Sequence, residues 1–377
     1  MDLNLSEEQR LIVDSAAEFL ASNSTSARVR QASEHAGHWD EPLWQALSEL
    51  GWCGIHLPES VQGLGLGVVE LSLLQEQLGM HLACVPYFDA VALAATALRE
   101  LQSQPLVAQT LSALATGQER IALALPDPDM TITARAHPSN AAWLLNGCWS
   151  HVGAAPVATQ LLLPTLDVQG HARLFLVPAD SAGLSIRPQQ AVDATRLHGE
   201  VQALDCLVSE AQCIAAGQPL HDLLLRTRCV AAVALAAEQV GVAQKALDLT
   251  LAYTLERKQF EKSIASFQAV KHRCAQMLVV LETARSAVYG AACMADTQPD
   301  DATLLRFAAQ ARSEATEAAL FCTREAIQLH GGVGFTWEYD PHLYFRRAQA
   351  SSQRLGPLRW WLEQVAHQWL DSETLTP

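Results

Sequence analysis

The sequence predicts an α+β fold: a helical N-terminal domain, a middle antiparallel β domain and a C-terminal four-helix bundle. Three observations carry this reading. Apolar residues recur at helical spacing over 1–118, short β-like runs broken by Pro, Gly, Asn and Asp fill 119–216, and long Ala-rich helical stretches fill 217–377.

The first helix opens at "SEEQ", where Ser6 and Gln9 have the spacing of a capping box. Leu11, Ile12, Ala16, Phe19 and Leu20 then form an apolar stripe. In "DEPLWQALSELG" Asp40 is the expected cap, Pro42 sits in the first turn and Gly51 lies past the end. A loop over 57–67 precedes a helix at 68–79, and further helical stretches follow near 87–102 and 105–116. The β-like runs include "RIALALPD", "AAWLLNG", "QLLLPTL" and "RLFLVPA", and Asn146-Gly147 signals a tight turn. From 218 the expected helices are one long unit ending near "ERKQF", a second from "SFQAV" to "CMAD", a third ending at "QLHGG" and a fourth over 356–371. Long helices with short connections suit a bundle.

The chain has 377 residues, of which half are apolar and 17% are charged, so it is long and apolar enough for a large core. A formal charge of −15 argues against broad nucleic-acid or anionic-membrane binding. Nine scattered cysteines without a CxxC pair suggest reduced thiols in a cytoplasmic protein. No zinc spacing is present: His35 and His38 lack the Glu and third ligand of a zincin, and no metal is expected. Acidic residues near the start argue against a signal peptide. Nothing approaches an uninterrupted membrane-spanning run, so no membrane insertion is expected.

The stretch "AIQLHGGVGF" (326–335) ends a helix in Gly331-Gly332. Glycine there serves as a helix cap, and bare backbone also lets a ligand approach closely. A dinucleotide fingerprint of the strand-to-helix type does not apply, because no strand precedes these glycines.

Together with "YTLERKQFEKSIASFQAVKHRCAQM" (253–277), "AIQLHGGVGFTWEYDPHLYFRRA" (326–348) and "LWQALSELGWCGIHLPESVQGLGLG", this stretch resembles the acyl-CoA dehydrogenase family over essentially the whole chain. The resemblance implies flavoproteins that oxidise acyl-CoA thioesters to 2-enoyl-CoA, assembled as homo- or hetero-oligomers and passing electrons to electron-transfer flavoprotein or a similar acceptor. It implies that Arg257 pairs with the FAD pyrophosphate, a role suited to a planar cation. Gln259, Phe260, Phe267 and Gln268 would contact adenosine and ribitol, and Gln328, Gly331 and Gly332 would admit the dinucleotide end of an FAD shared across an interface. Glu261 stands where the family usually has Gly. The form over 331–348 also looks like the branch that handles steroid side-chain and other bulky acyl-CoAs, where unlike subunits pair.

The reacting end departs from the family. Abstraction of the α-proton needs a base, usually a Glu before a Gly, and ungapped counting from "QLHGG" places Leu355 there. The alternative base position, on the first bundle helix, falls on Ala231 beside Ala232. The flavin-facing T-E-P segment is replaced by "ALPDPDMTITA" (124–134), and the Trp-rich strand is reduced to "NGCWSHVGAA" (146–155). Glu238, two turns beyond Ala231, is the remaining candidate base, its other reading being a structural glutamate bonded to a neighbouring helix. Three functions follow: a subunit lacking its own base that completes a partner's FAD site, a homo-oligomeric dehydrogenase using Glu238, or a non-catalytic acyl-CoA-binding or scaffold protein.

Overall fold

A computed structural model describes residues 4–34, 38–128, 132–139 and 142–370. It divides into two compact units: Met1–Val29 with Val68–Ala83 and Ala232–Pro377, and Arg30–Gly67 with Cys84–Ala231. The helices are α1 (Glu7–Asn23), α2 (Ser26–Ala32), α3 (Glu41–Glu49), α4 (Val68–Met80), α5 (Thr96–Arg99) and α6 (Pro105–Ala115) before the strands. After them come α7 (Gln218–Glu256), α8 (Gln268–Asp296), α9 (Asp301–His330), α10 (Pro341–Ser351) and α11 (Leu358–Leu370).

In the first unit the capping chemistry is as the sequence suggests. Ser6 Oγ accepts from the Gln9 N–H at 3.1 Å while Gln9 Oε1 accepts from the Ser6 N–H at 3.0 Å. Helix α4 has no capping side chain of its own, and Asp296 at the end of α8 supplies one, accepting from the Val68 and Val69 N–H groups at 2.6 and 3.1 Å. Helices α4 and α7 cross at two glycines. A Cβ on Gly79 would lie 2.2 Å from the Glu238 carbonyl oxygen, and one on Gly241 would lie 1.9 Å from that of Glu76. Only glycine permits this approach.

Beside the crossing, the buried Glu76 carboxylate accepts from Arg285 Nε at 3.1 Å and from the Tyr289 hydroxyl at 2.7 Å, and Arg285 Nη2 also donates to Gln244 Oε1 at 2.7 Å. Helix α8 lies along α9, which also packs α10 and α11. The short helix α10, between the third and fourth long helices, goes beyond the sequence reading. By length and composition α8 is apolar enough to cross a membrane, contrary to the expectation that nothing approaches such a run. Its alanines raise the mean hydropathy without a solid apolar block, and Glu282 and Arg285 interrupt it.

The second unit holds α3, α5, α6 and a sheet of β1 (Ile121–Leu123), β2 (Arg135–Ser139), β3 (Ala142–Gly153), β4 (Gln160–Leu166), β5 (Ala172–Pro178), β6 (Leu184–Gln189), β7 (His198–Ser209) and β8 (Cys213–Ala216). The order is β6-β7-β3-β2-β4-β5-β8, with β1 also on β4. The sheet is mixed rather than wholly antiparallel, because β1 and β2 share one edge of β4 and both run parallel to it, at Gln160–Leu162 and at Leu166. Trp143, Leu145, Phe175, Val177 and Val201 anchor its core.

Asn146-Gly147 makes no turn. It lies inside β3 at a bulge, where the Asn146 side chain and Asp205 exchange two hydrogen bonds of 2.9 Å. Pairing with β2 and β7 on either side overrides the local turn preference. The segment 87–102, expected as an ordinary helix, is a buried π-helix over Phe88–Ala95 that passes into α5.

None of the nine cysteines is in a disulfide. Among the described residues no group of His, Cys, Asp and Glu is placed to hold a metal ion, and His35 lies outside the described residues.

Candidate active site and cofactor cradle

The C-terminal ends of α7 and α9 meet through an aromatic contact. Tyr253 stacks on His330 with ring centroids 4.3 Å apart, and Tyr339 meets both rings edge-on. Burial lowers the His330 pKa below its ordinary value, so the neutral ring directs its Nδ1–H to the Ala326 carbonyl at 2.7 Å. Arg257 follows Tyr253 by one turn and Gly331 follows His330 directly, so both candidate segments leave from this one contact.

Arg257 is exposed, with no carboxylate in ion-pair range among the described residues. Beyond it the chain makes a two-strand hairpin, β9 (Lys258–Gln259) and β10 (Lys262–Ser263), turned by Phe260 and Glu261. Both turn residues are left-handed, with φ of 52° and 65°. That conformation suits glycine and explains why glycine is usual where Glu261 stands. The turn presents Phe260 at its tip, 84% exposed, with its ring centroid 6.1 Å from that of Phe267. Lys262 lies over the Phe267 ring at 4.6 Å. Gln259 and Gln268 are exposed.

On the α9 side Gly331 caps the helix at φ 64°, its N–H donating to the Gln328 carbonyl. Gly332 differs in its backbone alone: its φ is not positive, while a Cβ on either glycine would meet nothing within 4 Å. The fold does not require glycine at 332, and its bareness leaves the outer surface open. The Gln328 side chain is exposed in the turn before it. Gly331 thus caps the helix, and both glycines leave the surface beside them open.

The reacting-end positions are apolar or occupied. Leu355 is 8% exposed in the turn between α10 and α11, at a left-handed φ of 61°. Ala231 and Ala232 are fully buried. Glu238 is buried on α7, and its carboxylate accepts from Arg347 Nη1 of α10 at 3.4 Å. In the sheet unit, Arg228 Nη2 donates to the Pro126 carbonyl and holds the "ALPDPDMTITA" segment, whose residues 129–131 lie outside the described set. Trp149 turns its indole N–H to the Pro164 carbonyl at 3.0 Å and belongs to the sheet core.

The arginines at 346, 347, 354 and 359 do not form one group. Arg347 is buried against Glu238, Arg346 lies over the Trp337 ring at 5.0 Å, and Arg359 is an exposed partner of Glu363 at 3.6 Å. The Arg354 carbonyl accepts from Arg312 Nη2. Sequence reasoning missed Arg312 and the pairing of Arg347. The signal was available, since Leu343, Tyr344, Arg347, Ala348 and Ser351 form one buried helical stripe with an arginine in its middle.

The acyl-CoA dehydrogenase N-terminal domain matches residues 6–118 and the acyl-CoA dehydrogenase C-terminal domain matches 227–369. The acyl-CoA dehydrogenase IpdE2 of Mycobacterium tuberculosis is 33% identical over 350 residues, covering 93% of each chain. Among solved structures, the ChsE4-ChsE5 complex of Mycobacterium tuberculosis aligns with a TM-score of 0.89 and 26% identity over 100% of both chains. The Tcur3481-Tcur3483 steroid acyl-CoA dehydrogenase variant aligns at 0.85 and 29%, covering 97% of this chain and 98% of that one. The chain belongs to the acyl-CoA dehydrogenase family, whose members are FAD-dependent oxidoreductases. Its residues fit that cofactor: an exposed arginine with no carboxylate partner among the described residues suits a pyrophosphate, and Gly332 is bare without any internal steric need.

Proposed function

We propose that this chain is the base-lacking subunit of a heteromeric acyl-CoA dehydrogenase. It completes the FAD site of a partner that supplies the catalytic carboxylate. The observation that carries this is the contrast between the two ends. The residues proposed to cradle the dinucleotide are exposed apart from the half-buried Phe267, while position 355 carries a buried leucine. Glu238 does not fill the gap, because its carboxylate is engaged by Arg347 in a buried pair, the structural role weighed for it above. A base must be free to accept the substrate's proton.

In this reading Arg257 holds the pyrophosphate, Gln259, Phe260, Phe267 and Gln268 border the adenosine and ribitol, and Gln328, Gly331 and Gly332 admit the dinucleotide backbone. FAD held by these residues would supply the hydride acceptor for the substrate β-carbon. The substrate class we propose is a bulky acyl-CoA of steroid side-chain type. It is supported by the 331–348 segment and by likeness to the steroid acyl-CoA dehydrogenase variant and to the ChsE4-ChsE5 complex. An electron-transfer flavoprotein or similar acceptor would take the electrons, and the cytoplasm is the proposed location.

The test is oxidation of steroid side-chain acyl-CoA thioesters by the protein isolated, through a tag on this chain, from its native cells. Glu238→Gln is expected to leave kcat within about two-fold. Loss of a true general base costs on the order of 10²–10⁴-fold. A loss of that size in a folded Glu238→Gln protein would restore the homo-oligomeric reading with Glu238 as base.

A further inference from the structure

Arg312 sits on the inner face of α9, fully buried. Its Nη1 donates to Gln239 Oε1 on α7 at 2.7 Å and to the Thr316 hydroxyl. Its Nη2 donates to two backbone carbonyls, Ser351 at 2.5 Å and Arg354 at 3.2 Å. Ser351 is the last residue of α10, at a helix end where a cation is favoured, and its carbonyl also accepts from the Arg354 N–H at 3.2 Å. Arg354 immediately precedes Leu355. One guanidinium therefore grips both ends of the turn that delivers residue 355.

That turn needs gripping. Leu355 adopts a left-handed backbone conformation without being glycine, yet its side chain is buried. A conformation of this kind persists only where the surroundings over-determine it. Gly356, at φ 108°, and Pro357 then lead into α11. Arginine suits the task better than lysine, since its planar fork reaches both carbonyls while keeping Nη1 on Gln239 and Thr316.

We propose that Arg312 is a positioning residue that holds the 351–356 turn so that the side chain at 355 enters the reacting end at one fixed place. This rests on the reading of 355 as the base position given above. The clamp is present although the residue at 355 is a leucine. A carboxylate installed there by Leu355→Glu would inherit the placement.

The experiment has two arms, so that the clamp and the base position fail separately. In the first, native-state hydrogen exchange is measured on the full chain as wild type, Arg312→Met and Arg312→Lys. Exchange of the amides at 352–358 is expected to accelerate about ten-fold or more in Arg312→Met relative to the α8 amides of the same protein, and to be partly restored in Arg312→Lys. A general loss of stability would speed both sets together. Equal acceleration of the turn and α8, or none, would overturn the clamp.

In the second arm, exchange of the α-hydrogens of a steroid side-chain acyl-CoA with D2O is followed for Leu355→Glu with and without Arg312→Lys. The tagged protein from native cells is used, with a partner-base knockout as background. Exchange by Leu355→Glu is expected, with Arg312→Lys lowering kcat about ten-fold and leaving KM unchanged. Leu355→Glu without exchange, while the turn remains protected, would overturn 355 as the base position and with it the positioning role.

Discussion

Glu238 and His56 are both buried titratable side chains, but their surroundings give them different work. Glu238 faces Arg347, and a buried ion pair broken from one side leaves the other charge uncompensated. Glu238→Gln is therefore expected to lower stability by about 3 kcal/mol, measured by denaturant unfolding. A change below about 0.5 kcal/mol, typical of surface sites, would contradict the buried pairing. His56 sits in the other unit, with its Nε2 3.3 Å from the Thr96 hydroxyl, and Arg99 Nη1 donates to its carbonyl. Burial, then the nearby Arg99 charge, pushes its pKa down from 6.5 to about 3. The unfolded chain takes up a proton near pH 6.5 and the folded chain does not until about pH 3. The His56 contribution to stability is thus complete above pH 6.5 and is lost as pH falls, by about 1.4 kcal/mol per unit down to about pH 3. His56→Gln should remove that part of the acid dependence, seen as a shallower fall of stability between pH 6 and 4.

At the scale of elements, the crossing of α4 and α7 depends on Gly79 and Gly241. Gly241→Ala places a methyl group on the Glu76 carbonyl, and about 3 kcal/mol of destabilisation is expected from thermal or denaturant unfolding. Asp296→Ala, which uncaps α4, should cost about 1 kcal/mol. These elements also show what the sequence could and could not disclose. The Ser6 and Asp40 caps, the three long helices and the cap at Gly331 were legible because each rests on chemistry within a few residues. The cap from Asp296 to Val68 joins residues far apart in the chain, and no local signal marks it. Asn146-Gly147 misled for the same reason, since strands on both sides decided its conformation. The candidate cradle was proposed through resemblance to a family, and the structure adds two local facts: Glu261 strains a turn that prefers glycine, and Gly332 is bare although the fold does not demand it. The grip of Arg312 on two carbonyls was hidden, because carbonyl acceptors have no identity in a sequence.

For the whole molecule, the two ends of the proposed site carry opposite signatures. The cradle side offers Arg257, Phe260 at the tip of a hairpin, and an open Gly332, while the turn at 355 carries a buried apolar side chain. Exposed apolar residues near the cradle, Leu255, Phe260, Phe335 and Trp337, accord with a surface completed by another subunit. The central claim is that this chain donates a cradle and borrows a base. It is tested most directly by counting flavin per polypeptide, in the chain purified alone and in the complex recovered by its tag from native cells. The account predicts little or no FAD on the chain alone and about one FAD per pair of unlike chains in the complex, since binding that requires both partners appears only when both are present. A full complement of FAD on the chain alone, with turnover of acyl-CoA, would contradict it.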